Sequence, residues 1–414
     1  MTVLVLNCGS SSVKFQLIDP DEAEPRGKGL VERVGTRDAI LTYQSRGKER
    51  VRKLLPAETH DAAIRLALEQ LLHPRHGAID DQSEIDAVGH RVVHGGEKFK
   101  ESVLIDDRVT DGIRACIRFA PLHNPHNLKG ITVAFELLPG VPQVAVFDTA
   151  FHQTIPTEAY TYALPISLCQ RLGIRRYGFH GTSHKYVATV AARELGRPLE
   201  ELRIVTCHLG NGASIAAVKH GVSVETSMGF TPLEGLVMGT RCGDIDPAIV
   251  LHLMERESYD TRQMDDLLNK RSGLLGLSNV SNDMRAVLER ADEGDRHAAL
   301  AVDVFCHRGK KYIGAYAAVM GGLDALVFTG GIGENSVPVR AGMCSGLEFL
   351  GVEVSPDLNG KSETRIGVGE TPVLVIHTNE ELAIARDTKR VLAEIETAPG
   401  AAAEPPLTSP EAMS

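Results

Sequence analysis

An apolar run, a short polar turn and a second apolar run make up residues 3–18, and the same order returns at residues 203–218. The two segments read VLVLNCGSSSVKFQLI and RIVTCHLGNGASIAAV. Apolar, β-branched runs on both sides of a turn rich in Gly, Ser or Asn predict a strand–turn–strand hairpin in each. Because such a turn can present several backbone N–H groups to an anion, the repeat predicts a duplicated phosphate-binding element.

Strands and helices alternate through the rest of the first 150 residues. Short strands are predicted in KGLVERVG and AILTYQS. The spacing of apolar residues predicts one helix over residues 60–72, a second over about residues 110–119, and a third that ends at residue 138. Residues 85–96 predict a buried strand that runs into a glycine turn, and QVAVFDTAFH predicts another strand that ends on Asp148. This alternation is typical of an α/β fold.

The second half continues the alternation. Residues 154–165, rich in turn formers, are the predicted crossing between two domains. A helix over about residues 183–194, the second hairpin and amphipathic helices between residues 248 and 320 are followed by LDALVFTGGIGENS, a predicted strand and glycine turn. The last predicted elements are a strand and a long helix within residues 371–396. Residues 397–414 have the composition of a disordered tail.

The composition allows a two-domain enzyme and limits its partners. At 414 residues and 43% hydrophobic content the chain is long enough for two or three domains with developed cores. A net charge of −10 without basic runs argues against nucleic acid or membrane as a partner, so an anionic substrate needs locally placed Arg or Lys. Seven cysteines without a CxxC pair indicate reduced thiols, and with no signal-like or membrane-spanning run we expect a cytoplasmic protein.

Three glycine-containing turns each follow an apolar strand: NCGSSS from residue 7, HLGNG from residue 208 and GGIGEN from residue 330. Glycine allows backbone amides to approach a phosphate because no Cβ intervenes. None of the three matches the Walker pattern GxxxxGK[ST] or the pattern GxGxxG. Taken together, they favour phosphate binding over three ordinary tight turns.

Two arginines lie where a charge is costly unless it faces an anion. Arg91 is inside the apolar run AVGHRVVHGG and has no acid within its own strand, which favours anion binding. Arg241 is in the glycine-flanked loop MGTRCGDIDP, where a structural ion pair with Asp244 or Asp246 is the alternative.

A carboxylate and an imidazole are candidates for catalysis. Asp148 ends a buried strand, which is where catalytic carboxylates of α/β sheets commonly lie, and capping of the next turn is the alternative. His180 follows a basic pair, Arg175 and Arg176, between glycines, and a structural hydrogen-bonded histidine is the alternative there.

The residue pattern also favours some metal ions and nucleophiles over others. His123 and His126 flank Pro125 and lack a Cys or Glu to complete a zinc set, whereas Asn7 and Glu380 offer the oxygen ligands that magnesium takes. No GxSxG elbow occurs, so a serine hydrolase is not indicated.

A family resemblance rests on eight segments in order, VLVLNCGSSSVKF, HRVVHGGEKF, VFDTAFH, YGFHGTSHKYV, CHLGNGAS, MGFTPLEGLVMGTRCGDIDP, FTGGIGEN and TNEELAIARDT. Together they resemble the acetate kinases, from residue 3 to about 388. The resemblance implies an actin-like ATPase fold, in which two duplicated ribonuclease-H-like α/β domains close on a nucleotide cleft, as in sugar kinases, Hsp70 and actin. It also implies an N-terminal domain of residues 1–150 joined by the C-terminal helix 383–396, a nucleotide-binding and dimerising domain of residues 151–382, and a homodimer.

The resemblance also assigns roles to individual residues. It implies that Asp148, His180 and Arg241 are catalytic, that Arg91 holds the substrate carboxylate, and that Val93, Leu122 and Pro232 shape the pocket for its methyl group. Asn7 and Glu380, the latter in preference to Glu381, are implied as the residues linked to Mg²⁺, with Mn²⁺ as the alternative ion. The implied binding residues for ATP or ADP are Lys14, His208, Leu209, Gly210, Asn211, Gly212, Asp283, Met284, Arg285, Gly331, Ile332, Gly333, Glu334 and Asn335.

The implied activity is reversible phosphoryl transfer from ATP to acetate, giving acetyl phosphate and ADP by direct in-line attack. Such a reaction brings two anions together, so positive charge and positioning must carry most of the catalysis. Because acetate, with a carboxyl pKa of roughly 4 to 5, is already ionised near neutral pH, no proton has to be removed from it. We therefore expect Asp148 to orient an arginine or a magnesium-bound water. The alternatives are a propionate kinase of the same family and a non-catalytic nucleotide switch like actin or Hsp70.

Overall fold

The computed structural model describes residues 1–22 and 24–397. The strands are β1 (Val3–Cys8), β2 (Ser12–Ile18), β3 (Gly27–Glu32), β4 (Thr36–Ser45), β5 (Val51–Ala57), β6 (Ala87–Val92), β7 (Val103–Leu104), β8 (Gln143–Phe147), β9 (Arg203–Leu209), β10 (Ala213–Lys219), β11 (Val222–Thr226), β12 (Ala325–Thr329) and β13 (Val373–Val375). The helices are α1 (His60–Leu71), α2 (Asp107–Ala115), α3 (Asn124–Leu137), α4 (Thr157–Tyr160), α5 (Ile166–Leu172), α6 (Gly181–Leu195), α7 (Pro247–Arg256), α8 (Thr261–Lys270), α9 (Gly273–Ser278), α10 (Met284–Asp292), α11 (Arg296–Met320), α12 (Gly330–Asn335), α13 (Val337–Cys344), α14 (Pro356–Gly360) and α15 (Glu380–Thr397).

The chain packs as two compact units. The first unit contains residues 1–150 and the chain from residue 380 onward, and the second contains residues 151–379. The chain leaves the first unit at Ala150, upstream of the crossing predicted at residues 154–165. The reason is local: Thr154 donates a hydrogen bond to the carbonyl of Ser223 at 2.8 Å, so this segment is already tied to the second sheet.

The first unit is built on an eight-stranded sheet in the order β5-β4-β3-β2-β1-β6-β8-β7. Strands β1 to β5 form an antiparallel meander, and β1, β6 and β8 are parallel. Leu4 and Leu6 of β1 pack with residues of α1 and α3 on one face. Gly89 of β6 lies under α15 on the other face, where an added Cβ would be 2.7 Å from Ile384. Helices therefore cover both faces of this sheet.

The second unit repeats this plan with a five-stranded sheet in the order β11-β10-β9-β12-β13. Strands β9, β10 and β11 are antiparallel, whereas β9, β12 and β13 are parallel. Residues of α6, including Val187 and Ala191, pack on Ile204 and Val327 to form the core of one face. The order β3-β2-β1-β6-β8 of the first sheet has the same strand directions, so the duplicated ribonuclease-H-like arrangement is confirmed.

The two predicted hairpins are the start of each repeat. Strands β1 and β2 pair antiparallel around residues 9–11, and β9 and β10 pair around residues 210–212. In each turn the first glycine amide is used internally, since Gly9 N–H donates to Ser12 O at 2.8 Å and Gly210 N–H to Gly212 O at 3.0 Å. These two amides are thus not directed at an anion, which corrects part of the prediction.

Two further predictions change in detail. The segment predicted as a glycine turn after β12 is the six-residue helix α12. The C-terminal helix begins at Glu380, three residues earlier than predicted, and ends at Thr397, so this residue does not belong to a disordered tail. Residues 398–414 lie outside the described residues.

Candidate active site

In the first unit, three polar side chains meet at the carboxyl ends of the parallel strands. Asn7 lies near the end of β1, Arg91 near the end of β6, and Asp148 directly after β8. The Arg91 guanidinium donates to Asn7 Oδ1 at 3.4 Å and from Nε to Asp148 Oδ1 at 3.1 Å, and its Nη2 donates to Asp148 Oδ2. Parallel strands bring their carboxyl ends to one edge of the sheet, which is where α/β folds commonly bind ligands.

Arg91 has no acid within its own strand, but it pairs with the carboxylate of Asp148. Asp148 directly follows the adjacent strand β8, so the pair forms only because β6 and β8 are neighbours in the sheet. The Asp148 side chain is 1% exposed, and that of Arg91 is 20% exposed. Burial raises the pKa of the Asp148 carboxyl, while the Arg91 guanidinium opposes that rise by favouring the ionised form. Asp148 therefore holds the Arg91 guanidinium in place by hydrogen bonds and also pairs with its charge.

The two glutamates at the start of α15 have different partners. Glu381 is nearly buried and forms an ion pair with Lys14 Nζ at 2.5 Å. Glu380 Oε2 lies 3.7 Å from Arg91 Nε and is partly exposed. The helix thus directs one carboxylate to the β1–β2 hairpin and the other to the Arg91 cluster.

The two predicted apolar residues of the first unit differ in exposure. Val93, one residue past β6, is buried, and its N–H donates to Asn127 Oδ1 at 3.1 Å. Leu122 precedes α3 and is 63% exposed. An exposed leucine in a loop offers apolar surface to a small ligand or to solvent.

In the second unit, His180 has a strained backbone and a well-defined ring environment. It precedes α6 with φ of 56°, a left-handed conformation that is uncommon for residues other than glycine. Its ring stacks on that of His208, with the centroids 4.3 Å apart. Its Nδ1 lies 2.9 Å from Ser214 Oγ. Backbone strain of this kind is common at functional sites.

Arg241 shares the space next to Gly212 with His180. A Cβ added to Gly212 would lie 2.9 Å from Arg241 Nη2 and 3.6 Å from the His180 ring. Arg241 Nη1 donates to the carbonyl of Pro232 at 2.7 Å, and burial lowers the pKa of the guanidinium. Within residues 151–379, Arg241 forms no ion pair with a carboxylate, and the alternative partner Asp244 lies instead 3.5 Å from Arg308.

The predicted nucleotide-binding loop 208–212 is held by its neighbours. Asn211 Oδ1 accepts a hydrogen bond from Asn282 Nδ2 at 3.0 Å, and the Gly239 N–H donates to the Asn211 carbonyl at 2.9 Å. His208 and Leu209 form the end of β9. This arrangement connects the loop 208–212 to the segment that precedes Asp283.

The segment from Asp283 to Arg285 begins α10. Asp283 is the N-cap, and its carboxylate accepts from the Arg285 N–H at 3.0 Å and pairs with Arg285 Nη2 at 2.6 Å. Arg285 is highly exposed, whereas Met284 is buried. The exposed guanidinium can reach a ligand, and Met284 anchors the helix.

Helix α12 contains the predicted residues Gly331, Ile332, Gly333, Glu334 and Asn335. The Glu334 carboxylate accepts from the N–H groups of Gly330 at 3.0 Å and Thr378 at 3.2 Å, and it lies 2.7 Å from His377 Nδ1. These bonds fix α12 to the segment after β13.

The comparisons with known proteins show the family to which this chain belongs. The sequence model of the Acetokinase family matches residues 2–386. The chain belongs to the acetokinase family.

Other members of the acetokinase family are similar over almost the whole chain. An acetate kinase of Alkaliphilus metalliredigens is 56% identical over 397 residues, which are 95% of this chain and 100% of that protein. The crystal structure of Porphyromonas gingivalis acetate kinase is 46% identical with a TM-score of 0.90 and covers 94% of this chain and 99% of that chain. The structure of a propionate kinase from Francisella tularensis is 44% identical with a TM-score of 0.89 and the same coverage. The fold of this acetokinase is therefore the duplicated actin-like ATPase fold.

Sequence reasoning missed a buried arginine that supports α12. Arg340 is 0% exposed, donates to the carbonyls of Gly333 at 2.9 Å and Glu334 at 2.8 Å, and bonds to Asn359 Oδ1 at 2.7 Å. Carbonyls at a helix end need donors, and this side chain supplies them. The one sequence signal for this role is the position of Arg340, which lies in the first turn of α13, a few residues after the glycines of α12.

Two features are absent from the described parts of the chain, a group of metal-ligating side chains and a membrane-spanning helix. In residues 1–22 and 24–397, no group of three or more His, Cys, Asp or Glu side chains is arranged to hold a metal ion. No helix there is long and apolar enough to cross a membrane.

Proposed function

We propose that this acetokinase transfers the γ-phosphoryl group of ATP to acetate in a reversible, magnesium-dependent reaction that gives acetyl phosphate and ADP. The observation that carries the proposal is Arg241, a half-buried guanidinium with no carboxylate partner in its own unit. A cation that is partly withdrawn from water is costly until an anion neutralises it. The transferring phosphoryl group is such an anion, and transfer is direct and in line.

The substrate carboxylate is the ligand that we assign to Arg91. A guanidinium matches a carboxylate with two parallel hydrogen bonds, and the contact with Asp148 keeps the planar group in one orientation. Asp148 is then a residue that positions Arg91, and it removes no proton because acetate carries none near neutral pH. Val93, Leu122 and Pro232 are assigned to the methyl group.

The phosphoryl group is assigned to His180 and Arg241. Both approach the space beside Gly212, as expected of donors that act on one group. Hydrogen-bond donors held in place before the reaction lower the barrier because they need no reorganisation when charge develops. The nucleotide is assigned to the loop 208–212, the segment 283–285 and α12, with Lys14 serving its phosphates from the β1–β2 hairpin.

Asn7 and Glu380 have the donor chemistry that a divalent ion needs. They supply one amide oxygen and one carboxylate, and both lie beside Arg91. Mg²⁺ typically takes one or two protein oxygens and fills its octahedron with waters and substrate phosphates, so two residues suffice; Mn²⁺ is the alternative ion. When bound, the ion supplies positive charge to the phosphates. The pairing of Glu381 with Lys14 supports Glu380 as the residue linked to the metal.

A propionate kinase is the second candidate, since the similar structure from Francisella tularensis carries that description. One methylene in an apolar pocket changes discrimination by only about 1 to 3 kcal/mol. Comparing kcat/KM for acetate, propionate and butyrate, with hydroxylamine to trap the acyl phosphate, separates the two. Acetate is expected to give the highest kcat/KM. A higher value for propionate would replace the first candidate with the second.

We also propose a homodimer in the cytoplasm. Helix α7 has no buried residue, and its Ile249 and Leu251 are exposed together with Ile245 before the helix, which supports contact with a second copy of the chain. All seven cysteines are free thiols, which suits a reducing compartment. Light scattering of the purified protein tests the dimer, and Leu251→Glu is expected to shift it to the monomer mass.

A further inference from the structure

Four side chains of the second unit form a continuous chain of hydrogen bonds that ends at His180. Thr206 Oγ1 lies 2.8 Å from His184 Nδ1, His184 Nε2 lies 2.8 Å from Ser214 Oγ, and Ser214 Oγ lies 2.9 Å from His180 Nδ1. Thr206, His184 and Ser214 are each 0% exposed. The functional assignments above give no role to these three residues.

The direction of the protons follows from the first link, because each hydroxyl and each neutral imidazole has one proton. Thr206 has two acceptors in reach, His184 Nδ1 at 2.8 Å and the Ala216 carbonyl at 3.5 Å. A hydroxyl proton makes a better hydrogen bond at 2.8 Å than at 3.5 Å, so we assign it to His184 Nδ1. His184 then carries its own proton on Nε2 and donates it to Ser214 Oγ. In the opposite direction His184 would donate to Thr206, and His180 would carry its proton on Nδ1.

The direction of the last hydrogen bond follows from the first two. Ser214 also has one hydroxyl proton, and because it accepts from His184 it donates to His180 Nδ1. A neutral His180 whose Nδ1 is an acceptor must carry its proton on Nε2. Burial lowers the pKa of His184 well below its usual value, and the nearby His152 and His208 add to this effect, so His184 stays neutral and has only one proton to give.

We infer that Thr206, His184 and Ser214 are positioning residues that hold neutral His180 as the tautomer with its proton on Nε2, ready to donate to the transferring phosphoryl group. This inference rests on the proposed function for the role of the donated bond. Groups near His180 in its unit include His208, stacked on its ring, His184 beyond Ser214, and Arg241 across Gly212. A neutral donor contributes a hydrogen bond without placing a second positive charge beside Arg241.

A matched control exists in the same unit. Ser223 Oγ lies 2.8 Å from His152 Nδ1, and both residues are 0% exposed, like Ser214 and His184. Ser223→Ala therefore removes a buried serine–histidine hydrogen bond but leaves in place the relay, defined as the three hydrogen bonds that join Thr206, His184, Ser214 and His180; the ring of His152 packs edge-on against that of His184 and stays in both variants. The effect of Ser223→Ala on the melting temperature measures the structural part of the loss in Ser214→Ala.

The test combines turnover with the nitrogen NMR spectrum of the histidines, in which His180 is assigned by its loss in His180→Gln. We expect the wild-type spectrum to show Nε2 of His180 protonated and Nδ1 unprotonated. In Ser214→Ala both signals should move toward each other as two tautomers exchange, and kcat should fall about 10- to 100-fold with the KM for acetate nearly unchanged. Ser223→Ala should leave the His180 signals and kcat unchanged.

Thr206→Val tests the far end of the relay with a side chain of the same shape, and it serves if Ser214→Ala does not fold. It should shift the His180 signals and lower kcat, although Thr206 is three hydrogen bonds from the His180 ring. A wild-type His180 with its proton on Nδ1 would overturn the inference. So would His180 signals that stay unchanged in Ser214→Ala or Thr206→Val, whatever happens to kcat. The spectrum needs no turnover, so a protein that forms no acyl phosphate would contradict the proposed function and leave this readout intact.

Discussion

The guanidinium of Arg91 and the carboxylate of Asp148 face each other edge to edge, with Nε and Nη2 each donating to one carboxylate oxygen. Arg91 lies in β6 and Asp148 directly follows the neighbouring parallel strand β8, and the two residues are 57 positions apart in the chain. Asp148 is buried, and Arg91 also contacts Asn7 Oδ1 and lies close to Glu380. The pair is therefore the centre of the polar cluster of the first unit.

Substitutions of Asp148 distinguish orientation from charge. Asp148→Asn keeps one oxygen acceptor for Arg91, so turnover should stay within about tenfold of wild type, whereas Asp148→Ala should lose about 100-fold or more because the guanidinium is no longer held. Steady-state kinetics with acetate measures both.

The Arg203–Asp324 pair is a matched control, since Arg203 also donates from Nε and Nη2 to the two oxygens of Asp324, at 2.8 and 3.2 Å. Asp324→Ala should lower stability and leave turnover near wild type. Equal losses in Asp148→Asn and Asp148→Ala, or a rate profile governed by a carboxyl ionisation, would contradict an orienting role.

Arg91 and Arg241 are predicted to affect different kinetic parameters. Arg91→Ala should mainly raise the KM for acetate because it removes the partner of the substrate carboxylate. Arg241→Ala should mainly lower kcat, about 100-fold or more, because it removes charge from the transition state. Initial rates over a matrix of acetate and ATP concentrations give both parameters, and the same pattern in the two variants would refute this division of roles.

Gly212 is predicted to be necessary because a side chain there would displace Arg241. In Gly212→Ala the added Cβ would lie 2.9 Å from Arg241 Nη2, so kcat should fall while the melting temperature changes little. Gly314→Ala in α11 is the control, since beyond its chain neighbours and the nearby backbone of α11 no heavy atom lies within 4 Å of the added Cβ, and alanine stabilises a helix by about 1 kcal/mol relative to glycine. A Gly212→Ala enzyme with wild-type kcat would show that Arg241 needs no fixed position.

Acid is predicted to destabilise the fold through four buried histidines. Burial lowers the pKa of His90 and His152 to about 4, of His94 to about 3, and of His184 well below its usual value. These groups stay neutral in the folded protein but bind protons in the unfolded chain below pH about 6.5. Their contribution to stability is therefore complete above that pH and is lost as the pH falls toward about 4.

Calorimetric unfolding in buffers of different ionisation enthalpy counts these protons directly. At pH about 5.5 we expect the net uptake on unfolding to be smaller by about one proton in His90→Gln than in wild type. The same uptake in both proteins would mean that His90 is already charged in the folded protein.

The sequence predicted those features that depend on local patterns. Both hairpins are present, and Asp148 lies at a strand end, because alternation of apolar residues and glycine turns are encoded within short segments. The sequence led us to expect that Asp148 orients an arginine or a magnesium-bound water, but not that the arginine is Arg91, since this depends on which strands become neighbours. The same holds for Thr206, His184 and Ser214, which come from β9, α6 and β10 and meet only after the sheet and helix pack.

Helix α12 shows a different limit of sequence reasoning. Its glycines are typical of a turn, yet carbonyls at its end are bound by Arg340, and its Glu334 is bound by residues after β13. These contacts stabilise a helix that the local sequence does not favour. Contacts distant in sequence therefore override the local preference here.

The most direct test of the account is the ratio of trapped acyl phosphate to ADP. Purified protein is incubated with Mg·ATP, acetate and hydroxylamine, and the hydroxamate and ADP are quantified in the same samples. Phosphoryl transfer to acetate predicts one hydroxamate for each ADP, with ADP formation dependent on acetate. ADP formed without hydroxamate would contradict the account and indicate a nucleotide switch in place of a carboxylate kinase.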